Sequence, residues 1–541
     1  MPRISMPHGV GTAALALAFA PLALAGCRDA TRVVTAGDRD PGARRQLPAE
    51  LLAADTPPVR PPLAERSAGG TPAPVPPAAA ADDALLAGWP KPRVVLVVTG
   101  QQQGYIEPCG CTGLTNQKGG LARRATLIRQ LRERGWPVVP LDVGNQVRRF
   151  GRQAEIKFQS TVEALRTMGY RAVAWGADDL RLGLGELVAA AAGADDRPSL
   201  FVSANVNLLD LTPRHQVIRL DGLTVGVTAI LGTAEQARIS SDEIEFSAAA
   251  EGLKSAAAAL RAVPCDVYVL LAHASLDETR RLAAQLPDWD LVVSSGGAAE
   301  PSLVPEKMPG TRAVLVQVGN KGMYTGLVGI FDDPETPLRY ARVPLDARLP
   351  DAREMLDVLA AYQQQLEALG LEGLGLRPIA HPSGRQFVGS EACGDCHTEA
   401  YGIWEKTPHA HATESLVHPA ERSEVPRHFD PECLSCHVTG WDFQGYFPYQ
   451  SGYLSLEASA HLLGNGCENC HGPGAAHAAA ENGDIEATKE QLRQLRAQLR
   501  LPLAAAEQKC MECHDLDNSP DFHVPGAFEK YWKRIEHKGV D

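Results

Sequence analysis

From residue 93 the chain alternates two hydrophobic signals. Continuous apolar runs that stop at glycine or a polar residue read as buried strands. They are 93-RVVLVVTG-100, 137-PVVPLDVG-144, 171-RAVAWG-176, 199-SLFVSANV-206, 266-DVYVLLAH-273 and 289-WDLVVSS-295. Between them, apolar residues recur at helical spacing in 119-GGLARRATLIRQLRERG-135, 155-EIKFQSTVEALRTMG-169 and 246-FSAAAEGLKSAAAALRAV-263. This alternation predicts an α/β domain with helices covering a sheet. Runs at 216–232 and 312–331 read as hairpins, so the sheet is expected to be mixed. Residues 350–370 predict a connecting helix. After 386 the strand signal stops and cysteine and histidine become dense, so helix and loop are expected there.

Composition adds the ends. Residues 28–90, with 71-TPAPVPPAAAADD-83 at their centre, are too poor in large apolar side chains to bury a core and read as a linker. Ahead of them, Arg3, the small apolar run 9–25 and 24-LAGC-27 read as an export signal. The Leu-Ala-Gly-Cys ending resembles a bacterial lipobox, which implies lipidation of Cys27 and a membrane anchor facing the periplasm or cell exterior. The expected organisation is signal 1–27, linker 28–90, α/β domain 91–348, connecting helix and linker 349–385, and a cysteine-rich domain 386–541. A net charge of −13 argues against nucleic acid as a partner.

Cys-x-x-Cys-His occurs four times: Cys393-Cys396-His397, Cys433-Cys436-His437, Cys467-Cys470-His471 and Cys510-Cys513-His514. Two thiols at this spacing add to the two vinyl groups of a haem, and the adjacent imidazole ligates its iron. Zinc also uses Cys-x-x-Cys pairs, but it does not require histidine directly after each one. Four covalent c-type haems are therefore expected. Attachment outside the cytoplasm agrees with the export signal.

The stretches 387-FVGSEACGDCHTEAYGIWEKTPHAHATESL-416, 429-FDPECLSCHVTG-440, 466-GCENCHGPGAAH-477 and 528-FEKYWKRIEHKG-539 resemble the tetrahaem cytochrome c family typified by the electron acceptor of hydroxylamine oxidoreductase. The resemblance implies that His409, His477 and His537 ligate haem irons from the distal side. It also implies that one haem of the four has an open distal position. His411, His418, His428, His461 and His523 remain as other distal candidates. Of the neighbours His409 and His411, His409 is preferred.

A second resemblance covers residues 93–346. The stretches 94-VVLVVTGQQQGY-105, 141-LDVGNQV-147, 169-GYRAVAWGADDLRLG-183, 203-SANV-206, 269-VLLAHAS-275 and 290-DLVVSSGGA-298 resemble the metallophosphatase domain of the 5′-nucleotidase type. That family holds two metal ions at these strand ends. Here the positions read Gln101-Gln102-Gln103-Gly104, Gly144-Asn145 and Gly176-Ala177-Asp178-Asp179, and only His273 survives. Neutral amides are weak ligands beside carboxylate and imidazole, so dimetal phosphatase activity is not expected.

One feature is added there. Cys109 and Cys111, in 104-GYIEPCGCTG-113, have no following histidine. Such a pair could bind a soft metal, form a disulfide or react with an oxidant or sulfur species, and with Asp178 and His273 it could form a non-haem site. The alternative is a purely structural pair. Cys265 reads as a buried small hydrophobe, and Arg123, Arg124 and Arg129 as a solvated helix face.

The function expected from these signals is electron transfer to redox partner proteins by an exported, lipid-anchored multihaem cytochrome. Alternatives are a redox enzyme acting on a small nitrogen, oxygen or sulfur compound at an open-faced haem, and a residual metal-dependent phosphoesterase. Oligomeric state is not legible.

Overall fold

The computed structural model describes residues 45–46, 86–109, 117–193, 198–286, 288–419 and 423–538. From residue 86 onward these belong to one compact unit, Gln46–Asp541. The signal, Cys27 and most of the linker lie outside the described residues.

Twelve strands form two six-stranded sheets. They are β1 (Val94–Thr99), β2 (Val138–Asp142), β3 (Ala172–Ala174), β4 (Phe201–Val202), β5 (Gln216–Leu220), β6 (Leu223–Leu231), β7 (Val267–His273), β8 (Leu291–Ser294), β9 (Glu306–Lys307), β10 (Val314–Gln317), β11 (Tyr324–Ile330) and β12 (Leu338–Pro344). The first sheet runs β12-β11-β1-β2-β3-β4 and the second β9-β10-β8-β7-β6-β5. In each, a parallel centre carries antiparallel strands at its margin. The sheets pack face to face through Leu96, Val98, Leu141, Val225, Val227, Val269, Leu271 and Val293, all fully buried. Their outer faces are covered by helices: α1 (Leu121–Glu133), α2 (Arg152–Met168), α3 (Leu184–Ala191), α4 (Ala249–Arg261), α5 (Leu276–Ala284) and α6 (Arg353–Gly373). Strands covered on both sides have no polar face to show, which is why they read as unbroken apolar runs.

Two expectations are corrected. The 312–331 run is not a hairpin: β10 pairs with β8 in the second sheet and β11 with β1 in the first. The crossing occurs at Gly319–Gly322, where Gly319, Lys321 and Gly322 all have positive φ. Arg123 and Arg124 are not solvated, because α1 is covered on both sides by the sheet and α6. Arg123 bonds the Gln117 carbonyl at 2.8 Å, and Arg124 bonds Gln102.

Among the described residues the C-terminal half is helix and loop with three two-residue strands, of which Trp441–Asp442 and Phe447–Pro448 pair as a hairpin and Ile485–Glu486 is the third. Its helices α7 (Ser390–Gly394), α8 (Thr398–Trp404), α9 (Pro431–His437), α10 (Cys467–His471), α11 (Ala475–Glu481), α12 (Lys489–Gln498), α13 (Leu503–Cys510) and α14 (Ala527–Trp532) are short. Its apolar cluster is small, centred on Trp441, Tyr453, Val438 and Leu462.

Candidate functional site

Each Cys-x-x-Cys-His unit makes a helical turn. The His397 and His514 amides donate to the Cys393 and Cys510 carbonyls at 2.9 Å, and the other two units lie in α9 and α10. Positions i, i+3 and i+4 share one helix face, so both thiols and the imidazole point the same way. Most of these histidines also have one ring nitrogen fixed. Nδ1 of His437 donates to the Ala412 carbonyl at 2.8 Å, and Nδ1 of His471 to the Leu499 carbonyl at 2.8 Å. Nδ1 of His514 meets the Ser519 hydroxyl at 2.9 Å. A carbonyl partner fixes the tautomer of His437 and His471 and leaves their Nε2 for metal.

Three of these rings stand opposite a histidine from a distant segment. The centroids of His397 and His477 are 6.4 Å apart, those of His514 and His409 6.0 Å, and those of His471 and His537 5.8 Å. With metal–imidazole bonds of about 2 Å, two rings gripping one ion stand about 6 Å apart centre to centre. The donor set and spacing therefore fit an iron in each gap. His537 also has Nδ1 fixed, on the Ile535 carbonyl at 2.8 Å. His411 instead lies 3.5 Å from Glu414 with most of its side chain in solvent, and His523 spends Nε2 on the His514 carbonyl at 2.8 Å. The sequence did not say which proximal ring faces which distal one.

Two pairs of units are neighbours: Cys393 of the first lies beside Cys467 of the third, and Cys436 of the second beside Cys513 of the fourth.

A second cluster lies at the carboxyl ends of β1, β2, β3 and β7, where such sheets build sites. Gln101, Gln103 and Asn145 hold φ of 53°, 55° and 61°, a left-handed strain that clusters at sites. Asn145 Nδ2 donates to Gln101 Oε1 at 3.1 Å and to Asp178 Oδ2 at 3.2 Å. Arg238 places its guanidinium 2.6 Å from Asp178 Oδ1. Asp179 accepts four backbone N–H groups, from Asn145, Gln146, Val147 and Gly176, and burial pushes it up to about 7 against them. His273 is buried, which lowers its pKa and keeps it neutral. Its Nδ1 donates to the Val143 carbonyl at 2.7 Å. Among the described residues no group of three or more His, Cys, Asp or Glu is placed to hold a metal. At these strand ends Asp178 is held by the Arg238 guanidinium and the Asn145 amide. The full chain, given magnesium, manganese or zinc, is expected to release no phosphate from a 5′-nucleotide above a protein-free control. Metal-dependent turnover in that assay would contradict this reading.

The thiols of Cys109 and Cys111 lie outside the described residues. Cys265 is half-buried, with its thiol 3.4 Å from the Val263 carbonyl.

The loops that carry this cluster also hold the haem-bearing half. Glu107 is gripped by both ends of the Arg427 guanidinium, one contact at 2.6 Å. Lys157 and Arg149 each bind Glu432 at 2.8 Å. Burial alone would raise the Glu432 carboxyl, but the two cations hold it down at about 2. A carboxyl held below its ordinary value stabilises docking above that ordinary value, about 4.5, and loses the contribution as pH falls toward 2. Limited proteolysis between 374 and 386 is expected to be slow from neutral pH down to about 4.5 and fast near 2. Equal rates at both ends would contradict it.

Residues 392–472 match the family model described as "Cytochrome c554 and c-prime". Cytochrome c-554 of Nitrosomonas europaea is 35% identical over 98 residues, covering 16% of this chain and 39% of that protein. The N-terminal half is similar to the snake venom 5'-nucleotidase of Gloydius brevicauda, 26% identical over 264 residues, or 43% of this chain and 44% of that one. This chain therefore spans about two fifths of the length of each of these relatives. Among solved structures, a 5'-nucleotidase precursor from Thermus thermophilus superposes with a TM-score of 0.44 at 21% identity, covering 62% of this chain and 71% of that one.

Proposed function

We propose that the chain is an exported, lipid-anchored tetrahaem c-type cytochrome that carries electrons between redox partner proteins. The likeness to cytochrome c-554 supports a multihaem c-type cytochrome with covalently bound haem and redox partners. The observation that carries the finer reading is the set of three imidazole pairs at 5.8–6.4 Å, each joining a Cys-x-x-Cys-His unit to a remote segment. Each haem, once bound, supplies an iron that takes up and gives back one electron. The protein's part would be to hold two imidazoles at each of three irons and to keep the first unit beside the third and the second beside the fourth.

Cys27 would tether the protein through the 28–90 linker. No helix among the described residues is long and apolar enough to cross a membrane. The test is stoichiometry. The haem-loaded chain is expected to keep four haems after denaturation and to accept four electrons from dithionite. Zinc in place of iron, or fewer than four covalent haems, would overturn it.

Chemistry at Cys109 and Cys111 that feeds the haems is a second reading, favoured by one observation. Glu107, two residues ahead of Cys109, is bound by Arg427 of the haem-bearing half. If the pair cycles between disulfide and dithiol, two electrons and two protons from reduced haem and solvent should expose two new thiols. A thiol count that does not change on haem reduction removes this reading.

A further inference from the structure

The two halves meet on complementary charge. The α/β half presents Arg148, Arg149, Lys157 and Lys321, and the haem-bearing half presents Asp430, Glu432 and Asp517. Lys321 lies 2.6 Å and Arg148 3.0 Å from Asp517. Glu432 takes Lys157 and Arg149 at 2.8 Å each. Asp430 takes Gln153 at 2.7 Å and the Tyr362 hydroxyl at 3.1 Å. The Arg149 guanidinium also lies 3.8 Å over the Tyr446 ring, and the Lys157 side chain is 9% exposed.

These carboxylates are placed at particular haem units. Glu432 directly precedes Cys433, and Asp517 follows His514 by three residues. The second and fourth units therefore each have an acid neutralised from the other half of the chain. The third unit differs. Its neighbouring acid, Glu468, is buried and accepts backbone N–H groups from Val388, Gly389 and Gly474 at 2.7–3.1 Å, and no ion pair with Lys or Arg is seen for it among the described residues.

We infer, resting on the tetrahaem reading above, that docking of the α/β half sets the order of haem potentials. Its four cations neutralise the carboxylates beside the second and fourth haems and hold those two at higher potential than the third. Reduction adds one electron to an iron and makes or breaks no bond, so fixed charge nearby enters its free energy directly. In this half-buried setting solvent screens that charge only partly. The higher-potential pair would then lie at the boundary between the halves, where these ion pairs are. Arg148, Arg149, Lys157 and Lys321 are positioning residues in this scheme, since each acts through a carboxylate.

The experiment is an optical redox titration of the haem-loaded full chain and three variants. Glu432→Gln removes a negative charge and is expected to raise the higher-potential steps. Lys157→Gln removes a positive charge and is expected to lower them. Each shift should change the equilibrium constant for reduction about threefold or more, which is about 28 mV at 59 mV per tenfold change for one electron. Lys157→Arg should restore the wild-type steps, and the lower-potential steps should stay in place throughout. Loosening of the interface would move both neutral variants the same way, so opposite signs separate charge from mere structure. Shifts of one sign, or none, in protein that still holds four haems overturn the inference. A haem count other than four, read separately on the same samples as the pyridine haemochrome, overturns the tetrahaem reading itself and this inference with it.

Discussion

Replacing His477, His409 or His537 with glycine turns one low-spin haem to high spin, and each variant loses a different haem. The expected loss is one of three low-spin signals, with carbon monoxide then binding the reduced iron of that haem alone. The three rings arise from unlike surroundings. His477 lies in α11, His409 in the loop after α8 and His537 beyond α14. The His409 loop is tightly held: the Asn465 amide donates to the His409 carbonyl at 2.8 Å, and Trp404 Nε1 donates to the Asn465 carbonyl at 2.9 Å. Glycine there removes a ring without moving the loop. His411→Gly is the control, since that side chain faces solvent two residues away, and its spectrum should match wild type. A His411 variant that loses a low-spin signal, or a His409 variant that keeps all of them, would reverse the assignment of that ligand.

Replacing Arg427 with methionine is expected to cost the protein about 3–5 kcal/mol, because it removes a buried guanidinium from its carboxylate partner. The Arg427 side chain is 4% exposed and joins Glu107, the Val425 carbonyl and Ser423. The loss should be largest in the docking step, so denaturation of the variant should split into two transitions while wild type shows a more concerted one. Arg129→Met is the comparison. Arg129 lies 3.2 Å from Glu354 with nearly half its side chain in solvent, and such exposed pairs contribute about 0–1 kcal/mol. Equal destabilisation by the two substitutions would mean that the Arg427–Glu107 contact does not hold the halves together.

The strands and helices of the α/β half were legible because each is local. Val94–Thr99 is buried on both faces and reads as an unbroken apolar run, and α2 and α6 carry a helical repeat. The neutral amides of Gln101, Gln103 and Asn145 were legible too. The Arg238 guanidinium beside them was not, because Arg238 joins Asp178 across sixty residues from a loop with no motif. Nor was the path of 312–331, where alternating apolar residues look alike whether a turn returns the chain to the same sheet or sends it to the other. Arg123 and Arg124 show the same limit: charge in a helix suggests solvent, and only the packing of α6 over α1 says otherwise.

In the haem-bearing half, the attachment units have a fixed local spacing and could be read directly. The matching of His397 to His477, His514 to His409 and His471 to His537 depends on how short helices fold back, which no spacing encodes. The docking surface was invisible for the same reason. Its contacts join residues far apart in sequence, 275 positions for Lys157 with Glu432 and 320 for Glu107 with Arg427.

Three irons are each expected to be held between two histidines. Low-temperature electron paramagnetic resonance of the oxidised, haem-loaded chain tests it most directly, with optical spectra of the reduced form before and after carbon monoxide. The expected result is three low-spin signals whose haems do not bind carbon monoxide. The state of the fourth iron, at His437, then decides between pure electron carriage and small-molecule chemistry. Fewer than three low-spin haems, or carbon monoxide binding to more than one iron in four, would contradict the claim.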